Sequence, residues 1–263
     1  MTFEIHHLSL SRGHRRVLKN VTMTIGLGEH VGVLGANGAG KSSLLAAMAG
    51  ELNESLTAGE IRLDGLNISQ LSAHQQATKR AVLPQQPSLS FELSVREVIQ
   101  MGAYPFLQAA SDDVQAWSQH AVLQTDLVAY EHRPYTALSG GEQQRVQLAR
   151  VVVQCLAMHH YHGQAYLLLD EPLSSLDPKH QFQLMQALTQ LGQTQHVGIM
   201  LALHDLNIAA QYCHRLVLLG DGEIIAQGAP KDVLTPTALK RAFDLDFTVM
   251  PHPLDDNRLL ILT

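Results

Sequence analysis

Gly35-Ala36-Asn37-Gly38-Ala39-Gly40-Lys41-Ser42 has the spacing G-x-x-x-x-G-K-S, and it sets the first chemical expectation. Glycines at those offsets let successive backbone N–H groups converge on an anion. A helix beginning beside Lys41-Ser42 adds the positive end of its dipole. Such a loop suits the phosphates of a nucleoside triphosphate, with Lys41 on the β- and γ-phosphates and the Ser42 hydroxyl on Mg²⁺. Gly35, Ala36, Asn37, Gly38, Ala39, Gly40, Lys41, Ser42 and the adjoining Ser43 are the candidate nucleotide contacts. A glycine-rich turn that merely starts a helix is the plainer alternative. The Lys-Ser pair, with a strand before it and a helix after, argues against that.

Tyr166-Leu167-Leu168-Leu169-Asp170-Glu171-Pro172 is an apolar run ending in two carboxylates. Beside a phosphate loop of this kind, Asp170 can orient Mg²⁺ through its water shell. Glu171, one residue on, can polarise a water for in-line attack on the γ-phosphate. Adjacent acids at a strand end are common on surfaces, so the pair gains its weight from agreement with the loop. Glu at 171, rather than Gln or Asp, points to hydrolysis.

Leu138-Ser139-Gly140-Gly141-Glu142-Gln143-Gln144-Arg145 opens a long helical pattern with Ser139 as its N-cap. Two glycines at a helix start cost stability relative to alanine. They make sense where backbone N–H groups must approach an anion closely, which makes this a second phosphate-binding helix terminus. The chain thus has one loop and one terminus, both suited to a γ-phosphate.

The elements that position these groups follow from periodicity. Residues 2–11 and 15–26 alternate like half-buried antiparallel strands, which sets His6 and His7 on opposite faces. Val31–Leu34 is a short apolar strand, Ser42–Leu52 a helix and Glu60–Leu63 another strand. Helical patterns dominate 87–160, around Val95–Met101, Asp113–Leu127 and Ser139–Met158. His159-His160-Tyr161-His162 then reads as a polar loop without ligand-like spacing. Strands and helices alternate again at Tyr166–Leu169, Lys179–Leu191, Val197–Leu203, Leu206–Tyr212, Leu216–Leu219 and Glu223–Ala226. From about Pro230 a short helix and a strand pair are expected. The class is α/β: a mostly parallel sheet over 1–86 and 161–263 with an antiparallel β subdomain, and an inserted helical subdomain over 87–160.

Composition excludes several classes. The 263 residues are 46% hydrophobic and 16% charged with a net charge of −6, which is globular. No long Lys/Arg run supports nucleic-acid binding. Cys155 and Cys213 sit in apolar or helical stretches and are expected as reduced buried thiols. No signal peptide and no ~20-residue apolar span is expected, so a membrane role would come through a partner.

These motifs, in this order and across nearly the whole chain, resemble the ATP-binding cassette (ABC) family, whose core is a P-loop, RecA-like fold. The resemblance implies a head-to-tail homodimer in which Ser139, Gly140 and Gly141 of one subunit cover the ATP held by Lys41 of the other. Gln85 resembles the Q-loop glutamine that contacts Mg²⁺ or the attacking water, with Gln86 beside it as the alternative. Ser174-Ser175-Leu176-Asp177 resembles the segment that crosses the dimer interface, through Asp177. His204 resembles the switch histidine on the γ-phosphate. An aromatic residue often stacks on adenine near the first hairpin; this chain has Leu10-Ser11-Arg12-Gly13. Arg12 is therefore the candidate stacking group, or else a solvated turn residue.

The resemblance further implies two membrane permease subunits, a periplasmic binding protein acting indirectly, and a peripheral place on the cytoplasmic face of the inner membrane. Residues 87–106 would receive the permease. Leu93-Ser94-Val95-Arg96-Glu97-Val98 with Met101-Gly102 and Tyr104-Pro105 looks like the branch importing iron chelates, haem and cobalamin. Within it, the long stretch Val153–Gln164 and Asp177-Pro178-Lys179-His180-Gln181 are most similar to haem importers. A siderophore or cobalamin importer and a soluble iron–sulfur assembly ATPase are the competing expectations.

Overall fold

In the computed structural model, residues 2–85, 89 and 91–263 are described, without the side chains of Glu54, Asp256 and Asn257. Gln86, the alternative to Gln85, lies outside the described residues. β1 (Thr2–Arg12) and β2 (Arg15–Gly26) form the expected hairpin, burying Phe3, Ile5, Leu8 and Leu10 of β1. The alternation does not run through His6 and His7. The ladder shifts register between Ile5 and Leu8, His7 takes φ +50°, and neither histidine is buried. The extra residue of this bulge carries the inward face on to Leu8.

β3 (His30–Leu34) is buried at every position and runs into the glycine loop. α1 (Lys41–Met48) follows, and it is shorter than the expected Ser42–Leu52. Gly50 at φ +73° stops it, its N–H returning to Ala47 O at 2.9 Å. β4 (Leu56–Leu63) starts four residues before the expected Glu60, and β5 (Leu66–Asn67) pairs with it. The helices α2 (Ala73–Ala77), α3 (Val95–Gln100) and α4 (Ser111–Gln124), with β6 (Arg80–Leu83), lead to the long α5 (Gly140–His162).

β7 (Ala165–Asp170), α6 (Pro178–Gln195), β8 (Val197–Ala202), α7 (Leu206–Tyr212), β9 (Arg215–Gly220) and β10 (Glu223–Gly228) complete the alternating part. Past it lie two helices rather than one, α8 (Pro230–Val233) and α9 (Pro236–Phe243), then the hairpin β11 (Thr248–His252) and β12 (Asp255–Leu262). Each helix has Pro at its start, where a missing N–H costs nothing.

Contacts divide the chain into two units, Met1–Leu71 with Ile199–Thr263, and Ser72–Gly198. The first holds an antiparallel sheet ordered β2-β1-β4-β5, and strands ordered β10-β9-β3-β8 in which β3 is parallel to both neighbours. The second holds the parallel pair β6–β7 and a helical core in which Val95, Val98 and Ile99 of α3 and Val122 of α4 pack on Val146 and Val153 of α5.

His159, His160 and His162 are not in a loop: they form the last turn of α5, closed by Gly163 at φ +70°. Two forces hold the helix that far. Basic side chains complement the negative end of the helix dipole. Tyr161 stacks on Phe106 with ring centroids 5.4 Å apart, and His160 meets Trp117 edge-on at the same separation.

Cys155 and Cys213 are free and buried, and burial pushes the Cys213 thiol up to about 12. His30 begins β3 at 1% exposure. Burial first, and the neighbouring His214 second, push its imidazole down from 6.5 to about 4. A folded value below the unfolded one means stability that is full above pH 6.5 and lost as pH falls through about 4. The contribution is about 3 kcal/mol. The thermal midpoint should fall across that window, and His30→Leu should flatten that part of the curve; an unchanged slope would exclude His30 as its source.

Candidate functional site

The first unit builds the phosphate loop. β3 delivers the chain to Gly35, and Gly35, Gly38 and Gly40 take φ of +148°, +82° and +110°. A Cβ on Gly35 would stand 2.4 Å from Leu219 O, so the loop is pressed against the end of β9. The N-cap of α1 is Gly40, with no side-chain cap and no acidic residue in the first turn. Its first N–H groups and dipole therefore face a site with no competing carboxylate from that turn. Lys41, 5% exposed, donates from Nζ to Gly35 O at 2.7 Å and Ala36 O at 3.3 Å. The ammonium is thus folded into the loop. Ser42 is half-buried beside it, Ser43 is buried, and Asn37 and Gly38 are exposed.

His204 comes to the same end of the strands. β8 runs parallel to β3 with Ala202 opposite Val33, and Leu203 N–H donates to Val33 O at 3.0 Å. His204 follows, exposed, and Asp205 caps α7 by accepting from the N–H groups of Asn207 (2.8 Å) and Ile208 (2.9 Å). Asn207, which sequence reasoning missed, exchanges two hydrogen bonds with the Ile261 backbone, at 2.8 and 3.1 Å. Arg12 ends β1 opposite Arg15, exposed at the hairpin tip.

The second unit builds the acidic centre. β6 and β7 are parallel with Leu83 opposite Leu169, so Gln85 and Asp170-Glu171 leave the sheet at one end. Gln85 Nε2 donates to Glu171 Oε2 at 2.9 Å. Asp170 is buried at 8% exposure, while Glu171 takes φ +50°, an uncommon conformation for a residue with a side chain. Its carbonyl accepts from Ser174 N–H at 3.3 Å and Ser174 Oγ at 3.1 Å.

The start of α5 meets this turn. Ser139 caps the helix as expected, and a reciprocal Glu142 carboxylate accepts from Ser139 N–H at 2.7 Å. The Ser139 hydroxyl, then its N–H, holds the Glu142 carboxyl below the usual carboxylate range. The two glycines differ. Gly140 faces open space, whereas a Cβ on Gly141 would stand 2.7 Å from Ser175 O, so glycine there is required within the chain as well. Gln144 Nε2 donates to Glu171 O at 3.2 Å and Pro172 O at 2.9 Å. Nothing in the local sequence marks Gln144, whereas Ser139-x-x-Glu142 is a readable capping box.

Asp177 caps α6 ahead of Pro178, one oxygen accepting from His180 N–H at 3.1 Å and the other 2.7 Å from His180 Nδ1. The His180 N–H, then its ring, holds the Asp177 carboxyl below its usual value.

Residues 18–174 match the family model described as ABC transporter. The hemin import ATP-binding protein HmuV of Bordetella avium is 46% identical over 263 residues, covering 100% of this chain and 99% of that one. Its namesake in Pseudomonas entomophila is 42% identical over 260 residues, covering 98% of each. A solved ATP-binding subunit of an ABC transporter superposes with TM-score 0.77 at 24% identity, over 94% of this chain and 95% of that one, which shows the fold. With the glycine loop at Gly35–Ser42, the acidic strand end and these matches in agreement, the chain belongs to the ABC transporter family.

Proposed function

We propose that this chain is the ATP-hydrolysing subunit of a bacterial importer that brings haem across the inner membrane. The observation that carries the reading is end-to-end identity, at 46%, with a hemin import ATP-binding protein. Lys41 and the N–H groups of Gly35–Ser43 bind the ATP phosphates. Ser42, Gln85 and Asp170 offer a hydroxyl, an amide and a carboxylate oxygen, the hard donors that suit Mg²⁺. Bound there, Mg²⁺ would neutralise charge between the β- and γ-phosphates. Glu171 takes a proton from the attacking water, and Gln85, hydrogen-bonded to Glu171, orients both. His204 contacts the γ-phosphate.

Two copies pair head to tail, so that Ser139, Gly140 and Gly141 of one close over the nucleotide of the other and Asp177 lies in the contact. A helical subdomain over 87–160, set in an α/β core of 1–86 and 161–263, receives one of two permease subunits. A periplasmic protein delivers cargo to those subunits. Among the described residues no helix is long and apolar enough to cross a membrane, which fits a peripheral place on the cytoplasmic face. Hydrolysis removes the γ-phosphate contacts and reopens the pair.

Arg12 stacks its guanidinium on adenine. Arg12→Ala should raise the KM for ATP roughly three- to tenfold, the size of a partly exposed cation–π contact. An unchanged ATP affinity would remove the stacking.

The test of the whole reading is ATP-driven uptake in proteoliposomes holding this subunit, its adjacent permease and the loaded binding protein. Haem, a ferric siderophore and cobalamin are offered in parallel. Haem uptake that Glu171→Gln abolishes is the expected result. Uptake of another chelate overturns the cargo, and robust ATPase activity without any transport overturns the importer.

A further inference from the structure

We infer that Gln144 is a positioning residue for Glu171, through which the helix that closes over one nucleotide also sets the carboxylate serving the other. The inference rests on the two-copy arrangement proposed above for its second half only; the contact itself lies within one chain.

Glu171 stands at φ +50°, a conformation that holds only where surrounding bonds over-determine it. Its carboxylate accepts a hydrogen bond from Gln85 Nε2, and where that carboxylate points follows from where the backbone of the turn is held. The backbone is held from the other side by Gln144, whose amide nitrogen bridges the carbonyls of Glu171 and Pro172 at 3.2 and 2.9 Å. Only the nitrogen can face two carbonyl oxygens, which assigns the amide orientation. Gln144 Oε1 is buried and makes no hydrogen bond among the described groups, so the side chain is kept there by its donors.

Gln144 stands one turn into α5, four residues after Gly140. Gly141 packs against Ser175 O so closely that a Cβ would stand at 2.7 Å. The start of α5 therefore grips the segment 171–175 at two points, Gln144 at the segment's beginning and Gly141 at its end. When the glycines close on a nucleotide, any shift of this helix end passes to the Glu171 carbonyl. In the paired arrangement that nucleotide belongs to the other copy, so each subunit's helix reports one site's occupancy to the base of the second.

Three substitutions at Gln144 test this in the assembled transporter. Leu keeps the bulk and removes the donors, Glu keeps the shape with acceptors only, and Lys restores a donor long enough to reach both carbonyls. Leu and Glu should each lower kcat for ATP hydrolysis about tenfold or more while KM for ATP stays within about twofold, because a misplaced base impairs the chemical step rather than binding. Lys should recover much of the loss, which a role in packing alone would not allow. The Leu variant keeping kcat within about twofold, or losing ATP affinity at unchanged kcat, would overturn the assignment. Equal losses in Leu and Lys with a falling thermal midpoint would also overturn it.

The second half is read from the dependence of turnover on ATP, where Gln144→Leu should bring the Hill coefficient to one. A wild-type coefficient retained in Gln144→Leu would confine the role to one site. If Glu171→Gln protein never pairs on ATP, the two-copy reading fails, and the kcat result still decides the positioning.

Discussion

Glu171→Gln will lower ATP turnover by about a hundredfold or more while leaving ATP affinity close to wild type. The magnitude is that of removing a positioned general base, roughly 10²- to 10⁴-fold. The structure makes this substitution chemically clean. Glu171 Oε2 accepts from Gln85 Nε2 at 2.9 Å, and a glutamine can present its amide oxygen to the same donor. The turn is held through backbone carbonyls, from Gln144 and Ser174, which the change does not touch. What is lost is the ability to take a proton from water. Turnover by the transporter and fluorescent-nucleotide binding by the isolated subunit, measured side by side, separate the two quantities. Because ATP stays uncleaved, the variant should also accumulate as an ATP-bound pair in size-exclusion chromatography. Turnover within about threefold of wild type would move the base elsewhere and undo the role given to the Gln85–Glu171 contact.

Lys41→Met will reduce ATP affinity by about a hundredfold or more. A charge-assisted hydrogen bond is worth about 1.5–3 kcal/mol, and Lys41 can offer two to the phosphates. Its ammonium bonds Gly35 O and Ala36 O from a position 5% exposed. An ammonium has three donors, so phosphate oxygens beside the loop are within its hydrogen-bonding capacity. Methionine matches the stem and removes the charge, so the loop keeps its packing. The loop backbone is held independently by the Ala39 N–H to Ala36 O bond at 3.1 Å. The thermal midpoint should therefore drop by only a few degrees while titration calorimetry with ATP shows almost no heat. Affinity within about threefold of wild type would mean that this loop is not where the phosphates sit.

Much of this was legible residue by residue, where the signal is local. A glycine loop between a buried strand and a helix is defined by neighbours in the chain, because the turn geometry and the helix N-terminus are made by one continuous run, Gly35–Ser43. The strand ends at Leu34 and Asp170 follow from unbroken apolar runs, and α7 occupies its expected span of Leu206–Tyr212. Ser139 as a cap needed only the Glu142 three residues later. Where local signals competed, reading by pattern failed. Gly50 ended α1 early, and aromatic packing with a favourable dipole kept three histidines helical where polarity alone suggested a loop.

The rest is decided by residues that meet only after folding. Gln85 and Glu171 are 86 positions apart in the chain, and the parallel pairing of β6 with β7 is what brings them within 2.9 Å. Gly141 reads only as a glycine for an anion until its Cβ position is found 2.7 Å from Ser175 O, which is a second reason for glycine there. Gln144 looks like any polar residue on a helix until its amide is seen between two carbonyls of a turn 27 residues away. Composition and spacing determine which chemical groups the chain carries and which local turns present them. Distances between groups on different elements depend on strand register and helix packing, so only the tertiary structure sets which of those groups act together.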